Sequence, residues 1–99
     1  MKPVYWTPEA LQDRDDIYSL IEAENPAAAL SLDEMFEAKA IPLENHAEMG
    51  RPGRVPGTRE LIVHRNYILV YDVISDAVRI LSVLHARRQW PPGKNERIE

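Results

Sequence analysis

Cysteine is absent from the 99 residues, which excludes disulfides, thiolate metal sites and a cysteine nucleophile. That absence fits a reducing compartment. No apolar run approaches the ~20 residues of a membrane-spanning helix. The opening Met1-Lys2-Pro3-Val4-Tyr5-Trp6 is too short and too aromatic for a signal peptide, so a cytoplasmic chain with no membrane partner is expected. Histidine is scarce: His46, His64 and His85 lie far apart and lack metal-ligand spacing, and neither a metal nor a cofactor is expected. No Ser-His-Asp arrangement can be read from the spacing. The Gly/Pro-rich loop near the middle lacks the Lys-Ser/Thr ending of a phosphate-binding loop, which argues against nucleotide binding.

What is present suits one small soluble domain: 44% hydrophobic and 28% charged residues. A domain of this size buries a modest core, so a permanent partner would help stabilise it. The net charge of −4 conceals an asymmetry. Residues 1–50 carry three basic and eleven acidic side chains, for −8, whereas residues 51–99 carry nine basic and five acidic ones, for +4. The second half can therefore face a polyanion or an acidic peptide although the whole chain is acidic.

Val4-Tyr5-Trp6 is a short strand candidate, and Thr7-Pro8-Glu9 reads as a helix start with Thr7 capping and Pro8 at the first position. Ala10, Leu11, Ile17, Tyr18 and Ile21 then share one helical face to about Glu24. Arg14 falls on that face and is expected to snorkel past the core edge. Asp13, Asp15 and Asp16 fall on the polar side and read as solvated or partner-facing. Asn25-Pro26 ends one helix and starts the next, in which Ala28, Ala29, Leu32, Met35, Phe36, Lys39, Ala40 and Leu43 keep helical spacing. Pro42 loosens or ends it. Two helices joined so tightly form an antiparallel hairpin.

Residues 44–57 form a loop punctuated by Gly50, Pro52, Gly53, Pro56 and Gly57. The period then changes to that of strands. Arg59 to His64 alternates, Tyr67 to Ile74 is apolar on both faces, and Val78 to Leu84 follows, with turns at Arg65-Asn66 and Ser75-Asp76. The expected fold is α+β in the order β-α-α-β-β-β, a helical hairpin covering one face of a small, twisted, mostly antiparallel sheet. The other sheet face, the basic loop and the tail are left for function. Residues 1–91 form the domain, and the polar tail 92–99 is expected to be loose.

Three stretches carry a further signal: Gly50-Arg51-Pro52-Gly53-Arg54-Val55-Pro56-Gly57-Thr58-Arg59-Glu60-Leu61, then Asn66-Tyr67-Ile68-Leu69-Val70-Tyr71-Asp72-Val73, then Ile80-Leu81-Ser82-Val83-Leu84-His85-Ala86-Arg87-Arg88-Gln89-Trp90-Pro91. In order and spacing, over roughly residues 4–91, the chain resembles toxins of the RelE/ParE superfamily, and its ending is similar to ParE-type members. The resemblance implies a co-expressed antitoxin, partly disordered, that wraps the toxin. It also implies one of two targets. ParE-type members poison DNA gyrase; RelE-type members cut messenger RNA on the ribosome.

The two targets ask different things of the residues. Metal-free RNA cleavage needs a base for the 2′-hydroxyl, cations around the phosphate and an acid for the leaving oxygen. The candidates are His85, Arg59, Arg87 and Tyr71. Many ribonuclease members carry an arginine directly before the Leu-Val-Tyr of the central strand, and here that position is Ile68. The lysine pair that some of them place in the basic loop is replaced by Arg51 and Arg54. His85 also has a plain structural role open to it, tying down a backbone carbonyl at a strand end. For gyrase binding the candidates are Arg51, Arg54, Arg87, Arg88 and Trp90, since tryptophan and arginine dominate interface energetics. Trp90 can equally plug the core. The expected function is a gyrase-inhibiting toxin neutralised by its antitoxin, with a ribosome-dependent endoribonuclease as the alternative and a non-toxic binding scaffold behind both.

Overall fold

The computed structural model describes residues 1–87. Arg88, Trp90 and the 92–99 tail lie outside that range. The element order is β1 (Val4–Trp6), α1 (Pro8–Glu22), α2 (Pro26–Ala40), a 3-10 turn at Ile41–Glu44, β2 (Arg51–Pro52), β3 (Arg59–His64), β4 (Tyr67–Ile74) and β5 (Ala77–His85). The expected β-α-α-β-β-β order stands, with one strand added. Arg51–Pro52, inside the expected 44–57 loop, pairs antiparallel with β3 through Arg51↔Glu60 and Pro52↔Arg59. A two-residue strand carries too little alternation to be read from sequence, and Pro52 suits an edge because it donates no ladder hydrogen bond.

Both helices start where the capping chemistry places them. The Thr7 hydroxyl accepts from the Ala10 N–H at 3.1 Å and the Asn25 carbonyl oxygen from the Ala28 N–H at 3.0 Å. Each cap is worth about 1 kcal/mol. The five strands run in the order β1-β5-β4-β3-β2. β1 is parallel to β5, and the remaining pairs are antiparallel.

The hairpin covers one sheet face. Ala10, Leu32, Phe36, Ala40 and Leu43 meet Val63, Leu69, Tyr71, Val78, Ile80 and Val83 there. The alternation along β4 sends Leu69 and Tyr71 to this core and Ile68 and Val70 to the opposite face. That second face was expected to lie open. Instead Ile68, Val70 and Leu84 are 2%, 0% and 5% exposed and form a smaller core with Ala86 packed on it. Two helix-face assignments also change: Leu11 is about half exposed, and of the pair Ala28 and Ala29 only Ala29 is buried.

Arg14 does not snorkel to solvent. Its guanidinium forms a fork with Asp33, Nε to Oδ1 at 3.0 Å and Nη2 to Oδ2 at 2.9 Å, adds Glu37 at 2.8 Å, and sits 4.5 Å from the Trp6 ring centroid. The hydrogen bonds to Asp33 hold it firmly charged. It therefore joins α1, α2 and β1 at one point. Among the described residues no helix is long and apolar enough to cross a membrane.

Candidate functional site

Two sheet irregularities shape the surface next to the hairpin. Between Val70↔Ser82 and Tyr71↔Ile80, β5 holds one extra residue, Leu81. Between Ile62↔Ile68 and His64↔Tyr67, β3 holds another, Val63. A bulge turns the strand beyond it. The second bulge explains why His64, expected on the strand surface, is half-buried beside Tyr67, its ring centroid 6.4 Å away. His85 meets the other side of Tyr67 edge-on at 5.5 Å. Its Nδ1 accepts the Arg87 N–H at 3.2 Å, so the strand-end tie expected of His85 exists but is made to an amide and not to a carbonyl.

At the first bulge β1 has already ended, and α1 takes over the edge of β5. The Thr7 N–H donates to the Ile80 carbonyl at 3.1 Å, and the Thr7 hydroxyl donates to the Leu81 carbonyl at 3.3 Å. Asp13 Oδ2 accepts from the Ser82 hydroxyl at 2.8 Å and from the Val83 N–H at 3.0 Å. Asp13 is therefore not a solvated acid. Helical spacing places it on the polar side, and only the fold brings an unpaired strand N–H opposite it.

Around Tyr67 the surface dips twice. One hollow of about 290 Å³ lies among Ile17, Leu20, Val83, Leu84 and His85, with Asp13 and Asp16 at its margin. The other, about 370 Å³, lies among Ile21, Leu32, Met35 and His64. They share Tyr67 and make a mostly apolar groove between the helical hairpin and the β3–β4 turn.

The basic loop is anchored at both ends. At its start, the Tyr71 hydroxyl donates to the Ala47 carbonyl at 2.6 Å and accepts the Gly50 N–H at 2.8 Å. Gly50 is required there, because a Cβ would stand 2.8 Å from the Tyr71 ring and hydroxyl. Burial pushes the Tyr71 pKa above the ordinary tyrosine value, against the lowering effects of the Gly50 N–H and the Arg59 charge. Arg59 donates from Nη1 to the Gly50 carbonyl at 2.6 Å and to the Glu48 carbonyl at 3.2 Å.

Glu60, which sequence reasoning passed over, organises the rest of the loop. It is 3% exposed. Oε1 meets Arg51 Nη2 at 3.3 Å, while Oε2 meets Arg54 Nε at 3.2 Å and the Arg54 N–H at 3.1 Å. Arg54 Nη2 also reaches the Ala86 carbonyl at 3.4 Å, next to the exposed Arg87. The available signal was a glutamate in a strand whose flanking loop is rich in arginine.

The fold thus brings Arg51 and Arg54 together with the Ala86–Arg87 turn on the second sheet face. It does not assemble His85, Arg59, Tyr71 and Arg87 into one catalytic cluster. Tyr71 is fully buried beneath the hairpin, Arg59 is tied to loop carbonyls, and His85 faces the groove. Arg88 and Trp90, the remaining binding candidates, lie outside the described residues. Among the described residues no three His, Asp or Glu side chains converge as metal ligands would.

Known proteins share this architecture. A family model described as the ParE toxin of the type II toxin–antitoxin system parDE matches residues 4–90. Y4kP of Sinorhizobium fredii, named as a candidate toxin, is 38% identical over 91 residues, covering 91% of this chain and 94% of that one. A solved chain of the chromosomal ParDE toxin–antitoxin system of P. aeruginosa superposes with a TM-score of 0.80 at 29% identity, over 86% of this chain and 96% of the other. The YoeB dimer from Staphylococcus aureus shares the fold at a TM-score of 0.58 and 12% identity, over 84% of this chain and 94% of that one.

Proposed function

Because this chain belongs to the ParE family of type II toxin–antitoxin toxins, we propose that it stops growth by inhibiting DNA gyrase in the cytoplasm and is neutralised by a cognate antitoxin. One observation carries the choice of target. At the position where ribonuclease relatives hold an arginine stands Ile68, 2% exposed and packed with Val70 and Leu84. A sealed aliphatic side chain offers a phosphorane no charge. Tyr71, with no exposed surface and both hydrogen-bonding roles of its hydroxyl occupied, is poorly placed to donate a proton. The proposed action is therefore by binding. For the antitoxin, the fitting site is the groove around Tyr67, where Leu20 is 71% exposed and Ile17, Ile21 and Met35 are half covered. An amphipathic helix laid there would bury them. The similarity to a ParDE chain supports such a partner.

The test is plasmid supercoiling by purified gyrase with the folded, antitoxin-free chain added. Loss of supercoiling with trapped cleaved DNA, reversed by antitoxin, is the expected result. If folded protein has no effect on gyrase but cleaves messenger RNA on ribosomes, with His85→Gln abolishing cleavage, the gyrase reading is wrong.

A further inference from the structure

The groove around Tyr67 differs in charge from one end to the other. The hollow of about 290 Å³ has Asp13 and Asp16 at its margin. The hollow of about 370 Å³ is bounded by Ala28, Ser31, His64 and Asn66, and no carboxylate of the described residues lines it. Neither acid at the first end has a cationic partner among the described residues. Asp13 Oδ2 accepts from the Ser82 hydroxyl and the Val83 N–H, and Asp16 Oδ1 accepts from Gln12 Nε2 at 2.8 Å, all neutral donors. The ion pairs of the described residues go instead to Asp33, Glu37, Glu60 and Asp72. Arg14, the one basic residue of α1, is taken by Asp33 and Glu37. His85, beside the two acids, accepts the Arg87 N–H at Nδ1, a role open only to the neutral ring.

An occupant that covers this end removes water from two carboxylates. A charge that loses its water without gaining a partner is costly, so a wholly apolar segment suits only the far end. The occupant that suits both ends is apolar along its stripe and cationic where it meets Asp16. Given the antitoxin groove proposed above, on which this rests, we infer that the segment seated there is an amphipathic helix with a lysine or arginine set against Asp16. Asp16 is exposed and held by Gln12 alone among the described residues, so it is the group that meets the cation. Asp13, fixed at the strand edge, deepens the negative field beside it. The charge required here is opposite to that of the acidic peptide that the basic second half of the chain would draw.

The test is fluorescence anisotropy of the folded, antitoxin-free chain with two labelled synthetic peptides. Each has about 15 residues and the same leucine stripe at i, i+3, i+4 and i+7. One carries a lysine at each end and the other a glutamate at each end, so either orientation brings one charge to Asp16. The lysine peptide should bind at least about fivefold tighter at about 50 mM salt, and the ratio should shrink as salt rises. Asp16→Asn should cut that ratio about threefold. Asp15→Asn makes the same change in net charge on the Arg14–Asp33 side of α1 and should leave the ratio as it is. Leu20→Ser, at an exposed position, should weaken both peptides together. Equal binding of the two peptides, both weakened by Leu20→Ser, would overturn the cation and leave the groove reading standing. Equal effects of Asp15→Asn and Asp16→Asn would also overturn it, because attraction to the acidic half as a whole would then suffice. Binding indifferent to Leu20→Ser, or no binding of either peptide, would overturn the groove reading and this inference with it.

Discussion

The Tyr71 hydroxyl, on a fully buried side chain, is a donor to one loop carbonyl and an acceptor for one buried loop amide. Tyr71→Phe leaves the Gly50 N–H and the Ala47 carbonyl unpaired, and an unsatisfied buried group costs about 1–3 kcal/mol. Urea unfolding should show that loss without a change in slope. The pH dependence has a defined sign. Burial raises the folded-state pKa of Tyr71 above its unfolded value near 10. Its contribution to stability is therefore fully present below about pH 10 and is lost as pH rises through the folded value. Melting curves across that alkaline range should fall more steeply for the natural chain than for Tyr71→Phe; identical slopes would mean that the phenol is not desolvated. The sequence displayed Tyr71 as a candidate acid. Alternation in β4 put it on a face, but only the packing of the hairpin and the 47–50 loop showed that the face is closed.

At the scale of elements, the joint between α1 and β5 is made by polar atoms where a strand is missing. β1 is three residues long, so β5 beyond Ile80 has no backbone partner on that side. Thr7 and Asp13 supply one, which ties the start of α1 to the bulge at Leu81. Asp13→Ala should cost about 1.5–3 kcal/mol, the range for hydrogen bonds to a charged group. Asp15→Ala, on the exposed side of the same helix, should change stability by less than about 0.5 kcal/mol. Equal losses at both positions would contradict the assignment of Asp13 to the strand edge. The helices themselves were legible, because caps, prolines and apolar spacing are local signals. The bulges were not: each depends on which residue of a neighbouring strand lies opposite, and that is a property of two segments at once. His64 and Asp13 were misplaced for this one reason.

For the whole molecule, the second sheet face carries the proposed choice between the two chemistries the family resemblance left open. An exposed arginine at position 68 would serve a ribonuclease. Here that position belongs to a core of Ile68, Val70 and Leu84. Ile68→Arg should destabilise the fold by more than about 3 kcal/mol, since it places an unpaired charge where no solvent reaches. Thermal melting tests this directly. A variant as stable as the natural chain would show that the face opens to solvent and would restore the ribonuclease reading.

The order of elements, the capped hairpin, the meander and the family resemblance were determined by the sequence alone, because they rest on spacing and side-chain chemistry within short windows. The tertiary structure alone decided which polar groups are sealed, and it changed their roles. Tyr71 became an anchor, Asp13 a substitute strand edge, and Glu60 the carboxylate that gathers two loop arginines. The physical reason is that burial and hydrogen-bond partnership are set by residues distant in sequence. A polar side chain's chemistry is fixed by what surrounds it, and not by its neighbours along the chain.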